Sequence, residues 1–84
     1  MSRNNIVPNV NGEKIATLRK AVEPRMSQDA LAKKLQLEGI DVDKGTIQRI
    51  EAGKRAVSKE ELNVIARILK TTPEALTAAA AFAE

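Results

Sequence analysis

The sequence predicts an all-α fold, a compact five-helix bundle, on three observations. Apolar residues recur at spacings of three and four in successive short stretches, each behind a capping residue. No stretch alternates apolar and polar residues for long enough to write a strand. Hydrophobic residues make up 43% of the chain, yet Phe82 is the lone aromatic, so the core must be built from Leu, Ile, Val and Ala interdigitating between closely packed helices. At 84 residues there is room for one domain that buries roughly 60% of its unfolded surface.

Residues 1–10 mix Asn, Pro and aliphatics without periodicity and read as a flexible arm, leaving 11–84 as the domain. A first helix opens near Asn11 and runs to about 22, with Ile15, Leu18 and Val22 in phase and Pro24 blocking its extension. A second, about 28–38, has Ser27 as N-cap, Asp29 in its first turn, a seam of Leu31, Ala32 and Leu35, and Gly39 as its stop. A third, about 44–52, has Asp43 as N-cap, inward Ile47 and Ile50, and Gly53 as its stop. Ser58 with Glu61 forms a capping box for a fourth, about 59–70, striped by Leu62, Ile65, Ala66 and Leu69. Thr72-Pro73-Glu74 opens a fifth, about 73–82, by the N1-proline rule, carrying Leu76 and an alanine-rich tail.

The second and third helices leave Lys44, Gly45, Thr46, Gln48 and Arg49 facing outward, side chains suited to phosphates and base edges in the manner of a helix-turn-helix. With Ile15 to Arg19, Ser27-Gln28, Leu31-Ala32, Thr46 to Arg55 and Pro73-Glu74-Ala75-Leu76, the chain resembles the Cro and lambda-repressor (XRE-like) helix-turn-helix regulators over roughly residues 13–77. The resemblance implies a lambda-repressor-like fold and double-stranded DNA as partner. It also implies an ion pair between Arg19 and Glu51 that orients the reading helix, where the alternative is two unrelated surface charges, and a Gln28 that meets a phosphate and braces that helix, where the alternative is a solvated first-turn amide. One departure stands out: Gln36 to Val42 makes the connection between helices 2 and 3 about five residues longer than the usual tight turn. Either helix 2 is longer, with Leu37, Ile40 and Val42 packed back on the core, or helix 3 docks at a changed angle.

Within the reading helix, Gln48 can hold adenine and Arg49 guanine in two-pronged pairs, or both can belong to a solvated polar face. Gly45 inside a helix costs about 1 kcal/mol against alanine, which close approach to DNA or tolerance near a helix end would explain. Lys54 and Arg55, after the stop, are candidates for phosphate contacts or ordinary solvated charge. In the tail, Ala79, Ala80, Phe82 and Ala83 suit close packing of two helices, which predicts a weak homodimer through residues 76–83; a frayed terminus is the alternative.

The absence of both Cys and His removes disulfides, thiolate chemistry, the usual general base and most zinc ligands, so neither an enzyme nor a metal or cofactor is expected. Asp41 to Gly45 resembles a calcium loop only faintly, because Ala52 stands where a bidentate Glu is needed. The net charge of +3 and pI near 9.5 favour a polyanionic partner without proving one. No secretory core follows Met1, and the apolar stretch near Ala78 to Ala83 is far short of the ~20 residues that span a bilayer, so a cytoplasmic protein is expected. The expected function is a sequence-specific DNA-binding transcriptional regulator, a repressor of phage, prophage or plasmid type with no small-molecule substrate. The alternative is a helical interaction module, an adaptor or antitoxin, whose helix 3 face would be broken by Glu38, Asp41 and Asp43.

Overall fold

A computed structural model describes residues 5–77 and contains four α-helices with one 3-10 turn after them. Helix α1 is Gly12–Ala21, α2 Gln28–Leu37, α3 Lys44–Glu51 and α4 Lys59–Ile68, and the turn is Glu74–Leu76. Each helix opens where a side-chain oxygen accepts an otherwise orphan backbone N–H. Asn11 Oδ1 accepts from Lys14, Ser27 Oγ from Ala30, Asp43 Oδ1 from Thr46 and Ser58 Oγ from Glu61.

Three helices close in the same way. After α2, Gly39 at φ +87 lets its own N–H reach Gln36 O and that of Ile40 reach Leu35 O. After α3, Gly53 at φ +76 does the same for Ile50 O and Arg49 O. After α4 the left-handed position is held by Lys70 at φ 62, with Lys70 N–H on Arg67 O and Thr71 N–H on Ala66 O. That turn ends α4 at Ile68, two residues earlier than its sequence suggests, because a lysine stands where the helix-stopping signal is normally glycine.

The core is aliphatic, with Ile15, Leu31, Leu35, Ile47, Val57, Ile65 and Leu76 fully enclosed and Ile50, Leu62, Ala66 and Leu69 buried around them. In the long connection between α2 and α3, Ile40 and Val42 are buried, but Leu37 is 87% exposed and does not pack back on the core. The reason is angular: Leu37 lies about 200° around the helix from buried Leu35, and the reversal at Gly39 returns Ile40, not Leu37, to Leu35. Gln36 Nε2 donates to Val42 O at 2.7 Å and ties the connection to α2.

The five-helix expectation is corrected to four helices among the described residues. Thr72 does cap the last element, its hydroxyl accepting from Ala75 N–H, but only one 3-10 turn follows. Asn11 N–H takes the carbonyl of Leu76 at 2.7 Å, and Thr77 is extended in an antiparallel bridge to Val10. With that carbonyl bonded to Asn11 and Thr77 extended, the 3-10 turn does not continue as a helix through Thr77. Residues 78–82 of the expected helix lie outside the described residues.

Residues 5–10, read as a flexible arm, are hydrogen bonded to the body of the domain: Val7 N–H donates to Val57 O and Lys59 N–H to Asn5 O. The segment closes over Val57 and Leu76, both buried; residues 1–4 of the expected arm lie outside the described residues. No helix of the described residues is long and apolar enough to cross a membrane.

Candidate nucleic-acid interface

Helix α3 divides cleanly into two faces. Thr46, Ile47 and Ile50 point inward and are buried, while Lys44, Gln48 and Arg49 are exposed. At 100° per residue, positions 44, 45, 48 and 49 fall within about 140° of one another, so they form one outward stripe.

An ionic network fastens α3 to α1 and α2. Glu51, at the last position of α3, accepts from Arg19 Nε at 2.6 Å and from Arg19 Nη2 at 3.0 Å, in a two-pronged pair whose side chains are 9% and 8% exposed. Arg19 Nη1 donates to Met26 O at 3.0 Å, and Gln28 Nε2 donates to Glu51 Oε1 at 2.9 Å. Gln28 therefore braces α3 directly, with its amide nitrogen committed to Glu51 and its side chain half-buried.

A second junction between α1 and α3 is backbone on backbone. A Cβ added at Gly12 would collide with Ile50 O and come within 2.6 Å of Glu51 O, so the first turn of α1 lies directly on the last carbonyls of α3. This brings the positive end of one helix dipole onto the negative end of another. Sequence reasoning missed Gly12, because a close approach of two segments 38 residues apart leaves no local periodicity to read.

Two of the expected contact residues are not free to act as such. Thr46 is buried, and its hydroxyl donates to Asp43 Oδ1 at 2.9 Å while accepting from Asp43 N–H at 3.4 Å. It is the reciprocal half of a capping box, turned inward where the sequence predicts an outward position. Arg55 is likewise engaged within the chain: Nη1 donates to Glu61 Oε1 at 2.7 Å and to Ala56 O at 2.9 Å, and Nη2 donates to Glu61 Oε2 at 3.1 Å. A guanidinium fork filled by a carboxylate is spent on tying the α3–α4 loop to α4. Lys54, one residue earlier, is exposed and forms no ion pair among the described residues.

Two carboxylates carry shifted affinities for protons. The Thr46 N–H, followed by the Thr46 hydroxyl and the charge of Arg49, holds Asp43 below the usual aspartate value despite some desolvation. Burial pushes Glu61 upward, but the Arg55 guanidinium and the Ser58 N–H outweigh it and leave the group below the usual glutamate value. Gly45 lies in the gap between Arg49 and Asp43: a Cβ there would stand 3.4 Å from Arg49 Nη1 and 3.4 Å from Asp43 Oδ1, ordinary contact distances. Arg49 is folded back over the start of α3, toward the Asp43 carboxylate. Asp41 is exposed just before the cap.

The arrangement offers a helix with one polar, partly cationic face, held rigidly at its far end by Glu51 and flanked by Lys54. Such a face can hydrogen bond and neutralise phosphate. In comparisons with known proteins, no curated protein and no solved structure matches. A family model described as helix-turn-helix matches residues 15–76, well over half of the chain and all four helices but for the first turn of α1. The chain thus belongs to the lambda-repressor type of helix-turn-helix family, a family of DNA-binding transcription regulators.

Proposed function

We propose that this protein is a sequence-specific reader of double-stranded DNA that represses transcription, of phage, prophage or plasmid type, working in the cytoplasm without a cofactor or catalytic activity. The observation that carries the reading is the exposed row of Lys44, Gln48 and Arg49 on a helix locked in place by the Arg19–Glu51–Gln28 network. A rigid helix of that polarity can lie in the major groove, with Gln48 and Arg49 paired to base edges and Lys44 and Lys54 near phosphates. Gly45 permits close approach of the duplex, and repression follows from occupying a promoter. Arg55 and Thr46 support this surface from beneath. The unit is a weak homodimer on two half-sites, through residues 76–83; residues 78–83 of that contact lie outside the described residues.

Selection of bound sites from random duplex DNA, followed by titration, tests the proposal. Replacing Gln48 or Arg49 by Ala should cost about 1–3 kcal/mol on the selected site and relax one base pair of preference. Replacing Lys54 by Ala should weaken all sequences alike and reduce the salt slope by about one unit. Failure to enrich any site, with no salt-dependent duplex binding, would sink the reading. That result would favour the adaptor or antitoxin reading, which the exposed Asp41 and Asp43 at the start of α3 recommend. Sedimentation of the full chain, of Phe82→Ala and of a chain ending at Thr77, with and without DNA, tests the dimer; identical association in all three rules the tail out.

A further inference from the structure

The flank of the domain formed by the α1–α2 loop, the outer side of α2 and the end of α4 holds a groove that the DNA-reading surface does not use. Its floor is apolar, made by half-buried Val22, Ala30 and Ile68 with buried Met26. Its rim carries three exposed cations, Arg25, Lys34 and Lys70, against the single acid Glu23. The side chains of all three cations lack a hydrogen-bond or ion-pair partner among the described residues, whereas Arg19, Lys33, Arg55 and Arg67 are paired. One helical turn beyond Lys34, on the same side of α2, stands Leu37 at 87% exposure.

Lys70 adds an independent observation. The ends of α2 and α3 place Gly39 and Gly53 in the left-handed conformation, but the end of α4 forces Lys70 into it at φ 62. A side chain in that region is strained relative to glycine; the turn still closes α4 through the N–H groups of Lys70 and Thr71, but the lysine side chain itself makes no hydrogen bond or ion pair among the described residues. Glycine would close the helix by the same two bonds without the strain, so what distinguishes this helix end from the other two is the lysine side chain, and that side chain lines the groove.

We propose that this groove docks an acidic, amphipathic segment of another protein, its apolar side chains on Val22, Ala30, Ile68 and Leu37 and its carboxylates on Arg25, Lys34 and Lys70. Charge complementarity selects the occupant: three unpaired cations around an apolar floor repel a basic segment, and the apolar floor gives nothing to a bare phosphate. Lys34 lies about 200° around α2 from Gln36, the residue that reaches Val42 at the entry to α3. The groove and α3 therefore occupy different sides of α2, and both can be filled at once.

The probe is a synthetic 16-residue amphipathic peptide with Glu on one face and Leu and Phe on the other, titrated into the labelled full chain and followed by amide chemical shifts. Shifts should centre on Arg25, Ala30, Lys34, Ile68 and Lys70 and saturate below about 1 mM. The Arg25→Gln/Lys34→Gln double variant should bind roughly three- to tenfold more weakly, since each exposed charge contact is modest. Lys70→Gly is the sharper variant: it should raise the Tm by about 4 °C through relief of the left-handed strain while weakening the peptide about threefold. A peptide with Lys in place of Glu should not bind. Shifts absent up to that concentration, equal binding of the Lys peptide, unchanged affinity in Lys70→Gly, or groove shifts caused by a 20-base-pair duplex and not by the acidic peptide would each overturn the proposal.

Discussion

Replacing Glu51 by Ala tests the junction on which the reading surface depends. In the folded chain the Glu51 carboxylate accepts three bonds, two from Arg19 and one from Gln28, with both charged side chains under 10% exposed. Removing it leaves the Arg19 guanidinium enclosed with Met26 O as its one remaining partner. At this degree of burial, screening by water is slight and the cost is that of an orphaned buried charge, about 3–5 kcal/mol. A domain of this size is stable by about 5–15 kcal/mol in all, so the variant sits near or past the edge of folding. Urea titration followed by far-ultraviolet circular dichroism reads the loss directly, with a slope of about 1–3 kcal/mol per molar. The companion is Arg19→Met with Glu51→Leu, which removes both charges and fills the space with apolar volume. It should recover most of the loss, since a buried pair exchanged for packed aliphatics is often neutral or better. If the recovered variant still binds the selected DNA poorly, the pair sets the pose of α3 as well as its stability. A cost below about 1 kcal/mol for Glu51→Ala would refute the reasoning, because it would place the pair among solvated surface contacts.

Gly12→Ala should destabilise by about 2–3 kcal/mol in the same titration, because the new methyl meets the backbone carbonyls of Ile50 and Glu51, which cannot rotate aside. Gly45→Ala should hold or raise the Tm, since its methyl would stand 3.4 Å from its neighbours and alanine favours the helix by up to about 1 kcal/mol; a loss of DNA affinity beside that gain would assign the glycine to close approach of the duplex. Acid should destabilise the protein through Glu61 and Asp43. Both have folded pKa values below their usual 4.5 and 3.8, so the stability they contribute is full above those values and drains away as the pH falls beneath them toward the lower folded values. Urea midpoints measured from pH 6 to pH 2 should fall more steeply for the parent than for Glu61→Gln, and parallel curves would show that Glu61 does not contribute.

What was legible in the sequence was local. Ser27, Asp43 and Ser58 cap helices by bonds spanning three residues, and Gly39 and Gly53 stop them by a conformation only glycine takes freely, so side-chain identity and position suffice. The seams at Leu31 and Leu35, Ile47 and Ile50, and Leu62 and Ile65 follow from helical phase alone. What escaped was tertiary. The stretch from Pro73 to Thr77 reads as the start of a long helix until Asn11 takes the carbonyl of Leu76, and Gly12 looks unremarkable until Ile50 lies against it. Arg55 and Glu61 are six residues apart across a loop, a separation at which no periodicity pairs them. Lys70 hides a helix end because a lysine carries no conformational signal.

The lengthened connection between α2 and α3 bears on how such a domain would meet DNA. Its slack is removed by the double turn bond at Gly39, the burial of Ile40 and Val42, and the Gln36 bond to Val42 O, so the added residues do not loosen α3. They do change what stands at its leading end. The entry to α3 presents the exposed carboxylates of Asp41 and Asp43 beside Lys44 and the folded-back Arg49, and Thr46 is enclosed in the capping box. An acid next to a phosphate backbone is repelled, and one near a base edge can accept only from a donor such as the cytosine amino group. On the proposed reading, contact with a duplex would be most favourable one turn further along, at Gln48 and Arg49, with Lys54 following. Arg49 must first leave its position over Gly45 and give up its attraction to Asp43, an exchange in which a base or phosphate competes with a carboxylate of this chain. That competition disfavours loose, nonspecific association more than a two-pronged pair with guanine. On that reading the acids at the start of α3 would act in the direction of selectivity at some expense of affinity.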